Sequence, residues 1–258
     1  MERLDKIIAG TGKYSRREVK ELVRQGRVVV DGRLASSPEE KVDADAVCLL
    51  VDGQSLDCRR YTYLMLHKPA GVLSARVDGR QQTVLDLLPP ELRKRDLSPV
   101  GRLDKDTEGL LLLTNHGELT HRLLSPRYHV DKVYYARVEG VLTAADTAAF
   151  AGGMVLADGL ECLPAGLEIL AAGETSECLV TLREGKFHQV KRMLAARGKP
   201  VTYLKRLSMG ALRLDDTLAP GEFRLHRVQK PGVQGLSRPG ASPGQILNSL
   251  FSGYHISK

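Results

Sequence analysis

One segment constrains this chain more than any other: Gly101-Arg102-Leu103-Asp104-Lys105-Asp106-Thr107-Glu108-Gly109-Leu110-Leu111-Leu112-Leu113-Thr114. Its second half, Gly109 to Leu113, is apolar or small at every position. Such a run reads as a strand buried on both faces, which needs a layer of structure on each side. Its first half is a polar turn that sets Asp104 between basic side chains at the edge of that core. A carboxylate there needs a charged partner to stay ionised. Asp104 is therefore either a member of a structural ion pair or a nucleophile.

The rest of the chain supplies the layers. Thr175 to Arg183 alternates, with Cys178, Val180 and Leu182 on one face and Glu177, Thr181 and Arg183 on the other. Lys132 to Glu139 reads as another strand, and Tyr61 to Leu66 opens a third. Gln189 to Arg197 carries Val190, Met193 and Leu194 at helical spacing and ends at Gly198. Strands mixed with few helices, without a regular βαβ alternation, predict an α+β fold. At 258 residues there is room for one large domain and one small one.

The small domain is predicted at the N-terminus. A helix is expected from about Arg3 to Ala9, burying Leu4, Ile7 and Ile8. A second begins at a capping box, Ser15 with Glu18, buries Val19, Leu22 and Val23, and ends at Gly26. Val28 to Val30 then runs as a strand into an Asp31-Gly32 turn. Residues 52 to 60 read as a polar connection that lets the small unit swing. From Pro231 to Gln245 the chain is rich in glycine and proline and is expected to be flexible, with one weak helical turn over Ile246 to Phe251.

The net charge of +7 favours a polyanionic partner. Basic residues cluster: between Arg183 and Arg206 there are eight, opposed only by Glu184. The four cysteines make no Cys-x-x-Cys pair and have no histidine at zinc-ligand spacing, so buried or half-buried thiols and no metal are expected. No apolar stretch reaches the length of a membrane span, and no signal-peptide core follows Met1. The expected setting is cytoplasmic, with no membrane partner.

Arg102, Leu103, Asp104, Thr107, Gly109 and Leu110 occupy every fixed position of Arg-Leu-Asp-x-x-Thr-x-Gly-Leu, and the segment resembles the catalytic motif of the pseudouridine synthases. Lys132-Val133-Tyr134 resembles the family's Lys-x-Tyr motif, and His188-Gln189-Val190-Lys191 its third motif. His67-Lys68-Pro69-Ala70-Gly71 is similar to a family turn, with His67 in place of the usual Asn. His116 likewise stands where the family has Asp. Arg3-Leu4-Asp5-Lys6, Ser15-Arg16 and Gly26-x-Val28-x-Val30-Asp31-Gly32 resemble the S4 RNA-binding domain; the ending into Val-x-Val-Asp-Gly argues against a helix-turn-helix DNA binder.

The resemblance implies an S4-type domain over 1–58, a mixed, mostly antiparallel-sheet synthase domain over 59–230 and a tail over 231–258. It implies catalytic roles for Asp104, for Tyr134 against the flipped base, and for Lys191 as the cation of Asp104, with Arg192 as the fallback. RNA contacts are implied for Arg3, Lys6, Arg16, Arg17, Lys20, Arg24, Lys68, Arg102, Lys186, Arg192 and Arg206. His188 is expected to be structural. Leu214-Asp215 and Leu218 to Arg224 resemble the RsuA-like branch, which implies a monomer without cofactor acting on uridine 516 of 16S rRNA, free or in a ribosome-assembly particle. Related enzymes act on 23S rRNA. Two other classes remain open: a non-catalytic RNA-binding assembly factor, which a degraded motif would favour, and a nucleoside hydrolase, which needs a second carboxylate. Asp106 is available for that, but in an extended segment it faces away from Asp104.

Overall fold

The computed structural model describes residues 1–44, 47–58 and 61–226. The predicted tail and its helical turn at 246–251 lie outside the described residues.

Two helices open the chain, α1 (Leu4–Gly10) and α2 (Arg16–Arg24). The expected capping box is formed: Ser15 N–H donates to Glu18 at 2.6 Å, and Glu18 N–H donates to Ser15 Oγ at 3.3 Å. Four short antiparallel strands follow, β1 (Val28–Val30), β2 (Arg33–Leu34), β3 (Leu49–Val51) and β4 (Gln54–Leu56), in the order β2-β1-β3-β4. Leu4, Ile7 and Ile8 of α1 and Val19, Leu22 and Val23 of α2 pack on Val28, Val30, Leu49 and Val51 in one core.

The expected linker over 52–60 is corrected. Residues 49–56 form a β3–β4 hairpin, because Asp52 and Gly53 both adopt positive φ (53° and 74°) as a tight two-residue turn requires. The same Asp-Gly signal that marks the turn at Asp31-Gly32 recurs there.

The remainder is built on a nine-stranded sheet. Its main strands are β5 (Tyr63–Lys68), β6 (Glu108–Thr114), β7 (Lys132–Glu139), β8 (Gly166–Ala171), β9 (Thr175–Leu182), β10 (Val201–Met209) and β11 (Phe223–His226). They lie in the order β8-β9-β7-β10-β6-β5-β11, and all pairings are antiparallel except β10 with β6. The fold is thus α+β with a mixed, mostly antiparallel sheet.

β6 lies inside the sheet and is covered on both faces, as its sequence demands. Leu111 and Leu113 enter one core with Leu64, Leu66, Val180 and Leu204; Leu110 and Leu112 enter the other with Tyr63, Met65, Leu119 and Leu123. Besides a single helical turn at Pro90–Arg93, three longer helices cover the sheet among the described residues: α3 (Gly117–Leu124), α4 (Ala144–Gly152) and α5 (Gln189–Ala196). Only α5 was expected. α4 is rich in alanine and buries Phe150 and Asp146, so its apolar periodicity is faint.

At the crossing of β6 and β10 the backbones nearly touch. A Cβ on Gly109 would lie 2.2 Å from the Arg206 carbonyl oxygen, and Gly109 has φ +104°. The glycine is therefore what allows the single parallel pairing, next to the segment carrying Asp104.

The N-terminal helices abut the larger body. A Cβ on Gly12 would lie 2.7 Å from the Glu91 carbonyl oxygen. Arg95 donates to the Asp57 carbonyl at 2.7 Å and to Thr62 Oγ1 at 2.8 Å. Cys58, Cys162 and Cys178 are buried free thiols, and burial pushes Cys178 up to about 11. Cys48, just before β3, is exposed, contrary to expectation, because strand alternation turns Leu49 into the small core and Cys48 out of it.

Candidate functional site

Asp104 sits where the chain turns to enter β6. Thr107 N–H donates to the Asp104 carbonyl at 3.1 Å, so residues 104–107 form the polar turn expected, and the extended path that would face Asp106 away from Asp104 is not taken. Two buried side chains clamp that turn. Ser74 Oγ donates to the Leu103 carbonyl at 2.9 Å and accepts from Leu103 N–H at 3.0 Å. Lys68, wholly buried, donates to the carbonyls of Pro69 (2.9 Å), Lys105 (3.1 Å) and Thr107 (2.9 Å). Burial pushes its ammonium down to about 8, against the pull of Asp106, Asp104 and Glu108.

Lys68 was expected at the RNA surface. Its actual position is internal: at the end of β5 beside β6 its stem has no route to solvent, and its three protons go to the backbone. Arg206 is corrected in the same way. It is 2% exposed, and its Nε donates to the Leu110 carbonyl at 2.8 Å. Strand alternation on β10, in the sheet interior, turns this side chain inward.

β7 brings Tyr134 to the same place from another part of the chain. Its alternation turns Lys132, Tyr134 and Ala136 inward, while Tyr135 points to the opposite face, against Tyr203. Tyr134 joins Asp104, Arg102, Thr107, Leu182, His188 and Leu204 in lining a cavity of about 70 Å³. A wider recess of about 620 Å³ lies among Val133, Leu179 and Thr181, the residues that alternate with Tyr134 and Leu182; it contains none of the candidate residues.

α5 supplies the cation. The loop before it is pinned by the buried Gln189, which accepts from Lys186 N–H at 3.0 Å and donates to Glu184 at 2.5 Å. His188 has φ +51° and lies just before the helix. One turn on, Lys191 Nζ lies 3.4 Å from Asp104 Oδ2 and 2.5 Å from Asp106 Oδ1. That ammonium holds the Asp106 carboxyl below its ordinary range. His188 Nε2 is 3.5 Å from Asp104 Oδ1. Asp104 thus faces Lys191 and His188 together, and Asp106 shares its lysine.

Arg192, the alternative partner, is turned away and paired with Asp158 at 2.5 Å. Sequence reasoning missed Ser74 and set Asp106 apart from the site. Ser74 carries no local signal; Asp106 was placed by the alternation of an extended chain, although the turn read in the same run brings it back beside Asp104.

The remaining basic residues fall into two groups. Arg102 and Lys186 line the cavity, Lys186 also pairing with Glu184 at 3.0 Å. On the N-terminal unit Arg3 pairs with Asp5 and Glu39, Lys6 with Glu2, and Arg24 with Glu21. Arg16, Arg17 and Lys20 are exposed on α2, and no ion pair engages them among the described residues. Lys6, Arg16, Lys94 and Arg95 line a recess of about 390 Å³ where the two parts meet.

The two family substitutions are absorbed by packing. His67 Nδ1 lies 2.6 Å from the Leu218 carbonyl oxygen, and His116 stacks on Tyr61 at 3.9 Å and bonds Tyr63. Among the described residues no cluster of three His, Cys, Asp or Glu side chains could hold a metal, and no helix is long and apolar enough to cross a membrane.

Comparison with known proteins agrees with this geometry. Residues 62–196 match the RNA pseudouridylate synthase family, and residues 2–48 match the S4 domain. An uncharacterized RNA pseudouridine synthase of Bacillus subtilis is 47% identical over 236 residues, covering 89% of this chain and 99% of that protein. Ribosomal small subunit pseudouridine synthase A of Vibrio cholerae is 39% identical over 86% of this chain and 94% of its own length. Ribosomal large subunit pseudouridine synthase B of Bacillus subtilis is 37% identical over 83% and 88%. With an aspartate and a strand tyrosine on one cavity, a helix lysine paired to that aspartate, and these family matches, the chain belongs to the RNA pseudouridine synthases.

Proposed function

We propose that this protein isomerises a uridine of 16S rRNA to pseudouridine, with Asp104 as the catalytic carboxylate. The observation that carries the reading is that Asp104 and Tyr134, from distant segments, line one cavity while Lys191 of a third segment lies 3.4 Å from the Asp104 carboxylate. The reaction breaks the bond from C1′ to N1, turns the uracil and joins C5 to C1′. C5 gives up a proton, N1 gains one, and no redox partner enters. Asp104 attacks the nucleoside or stabilises the charge that develops on it, with Lys191 as its counter-charge. Tyr134 lies against the base and takes the C5 proton.

Residues 1–58 tether rRNA through Arg3, Arg16, Arg17 and Lys20, with Lys6 and Arg24 freed from their exposed pairs when phosphate competes. Residues 59–230 carry the chemistry, with Arg102, Lys186 and Arg192 on the backbone flanking the flipped nucleotide. The protein works as a monomer in the cytoplasm, where ribosomes are assembled. The small-subunit relative and the resemblance of Leu218 to Arg224 support the 16S target. A large-subunit relative at similar identity favours 23S rRNA as the second reading.

The test is carbodiimide mapping of pseudouridines in both rRNAs, with and without the gene, rescued by wild type or by Asp104→Asn. One 16S site should vanish on deletion and return only with wild type. A lost 23S site overturns the choice of subunit, and no lost site overturns the enzyme. Removing residues 1–55 should flatten the salt dependence of rRNA binding; an unchanged slope counts against the tether.

A further inference from the structure

Phe187 is the most exposed aromatic residue beside the site, with 72% of its surface open to solvent. It is also ordered against a neighbour: its ring stacks on His188 with centroids 3.8 Å apart and planes 18° apart. One face of the phenyl ring is therefore covered and the other is open. The histidine side chain does not cap α5, although it occupies the capping position, and its backbone is held in the left-handed region at φ +51°. A non-glycine residue held there reflects a constraint from its surroundings. What the conformation achieves is a continuous row, from the open face of Phe187 through the His188 imidazole to Oδ1 of Asp104, 3.5 Å from Nε2.

We propose that Phe187, backed by His188, is a stacking ledge for a nucleobase adjacent to the target uridine. The proposal rests on the pseudouridine synthase reading of the Asp104 cavity. A base that leaves its stack to reach Asp104 strips its neighbour of one stacking face. An aromatic ring parallel to that neighbour replaces the lost contact and is indifferent to which base it meets. Phe187 presents such a ring one side chain away from the reacting carboxylate. Arg102 and Lys186, lining the same cavity, supply charge for the phosphates on either side. As a core residue Phe187 has no role, because it is mostly exposed; as an isolated surface ring it would have no reason to be paired in parallel with a strained histidine.

The test uses the full-length protein. Wild type is first given 16S and 23S rRNA, and their precursor particles, from cells lacking the gene, to locate the uridine it modifies. A short RNA around that uridine then carries 2-aminopurine, or an abasic nucleotide, on each side in turn. Phe187→Ala should lower kcat/KM by about 5- to 100-fold, chiefly through KM, and abolish the quenching of 2-aminopurine on one side. Phe187→Tyr should restore both, and Phe187→Leu neither. With an abasic nucleotide at that position, wild type and Phe187→Ala should become equal. The ledge is overturned if Phe187→Ala stays within two-fold of wild type on intact RNA, or if its loss persists with the abasic neighbour. If wild type modifies no uridine in any substrate, the functional reading fails first and the ledge with it.

Discussion

The ammonium of Lys191 lies 2.5 Å from Asp106, while the carboxylate it is expected to serve, Asp104, lies 3.4 Å away. The lysine is shared between two carboxylates in one turn, and Asp106 is the more exposed of the two, at 74% for its side chain. An exposed pair of this kind adds little to stability. Its consequence is for the position of the lysine. Asp106→Asn should leave Lys191 with Asp104 alone and keep activity within a few-fold of wild type. Lys191→Met should remove the counter-charge and cost kcat on the order of 100-fold. Single-turnover rates of the two variants and the double variant decide the matter. A loss in Asp106→Asn as deep as that in Lys191→Met would mean that Lys191 acts through Asp106.

Lys68 should matter to the fold and not to RNA affinity. Lys68→Met removes the donor from three carbonyls, two of them on the segment around Asp104. Stranding buried acceptors costs about 1–3 kcal/mol each at most, with partial relief by relaxation. Urea unfolding should show a clear loss, whereas the salt slope of RNA binding should not change. A slope lowered by about one unit would return Lys68 to the RNA surface.

Gly109→Ala tests the crossing of β6 and β10. The new methyl meets the backbone of Arg206, which cannot rotate away, and the residue must hold φ +104°. Left-handed strain and overpacking together should cost about 2–5 kcal/mol. The loss should appear as a lower urea midpoint, together with lower activity because Asp104 lies five residues upstream. A midpoint equal to wild type would show that the two strands can part without penalty.

Glu40 provides a pH signature for the N-terminal unit. Arg33 hydrogen-bonds its carboxylate, and with Ser36 it holds Glu40 down to about 2 from an ordinary 4.5. The folded state thus releases this proton more readily than the unfolded state. Its contribution is complete above about pH 4.5 and disappears as pH falls to about 2. Wild type should therefore exceed Glu40→Gln in melting temperature at pH 6, and the gap should close with acidification over that window. A gap independent of pH would assign the effect to packing.

Much of this was readable along the chain. The Gly109–Leu113 run required a doubly covered strand and obtained one. The Ser15–Glu18 box and Gly26 marked the limits of α2, and alternation along 132–139 turned Tyr134 inward and Tyr135 outward. These features depend on backbone period and local capping, which involve residues a few positions apart. α3 and α4 were missed because their stripes are short, and α4 is largely alanine.

By itself the sequence determined the family pattern and the strand that Asp104 leads into, and left Lys191 or Arg192 as its cation, a choice made by the tertiary structure. Only the tertiary structure decided which cations remain at the surface. Lys68 and Arg206 look like Arg102 and Arg16 in sequence, but strand order places the first two inside a nine-stranded sheet and leaves the others in water. It also decided that Asp106 shares Lys191 and that Phe187 stands open beside the site. A long charged or aromatic side chain takes its environment from whatever distant strands and helices bring next to it, and that information is not local to the chain.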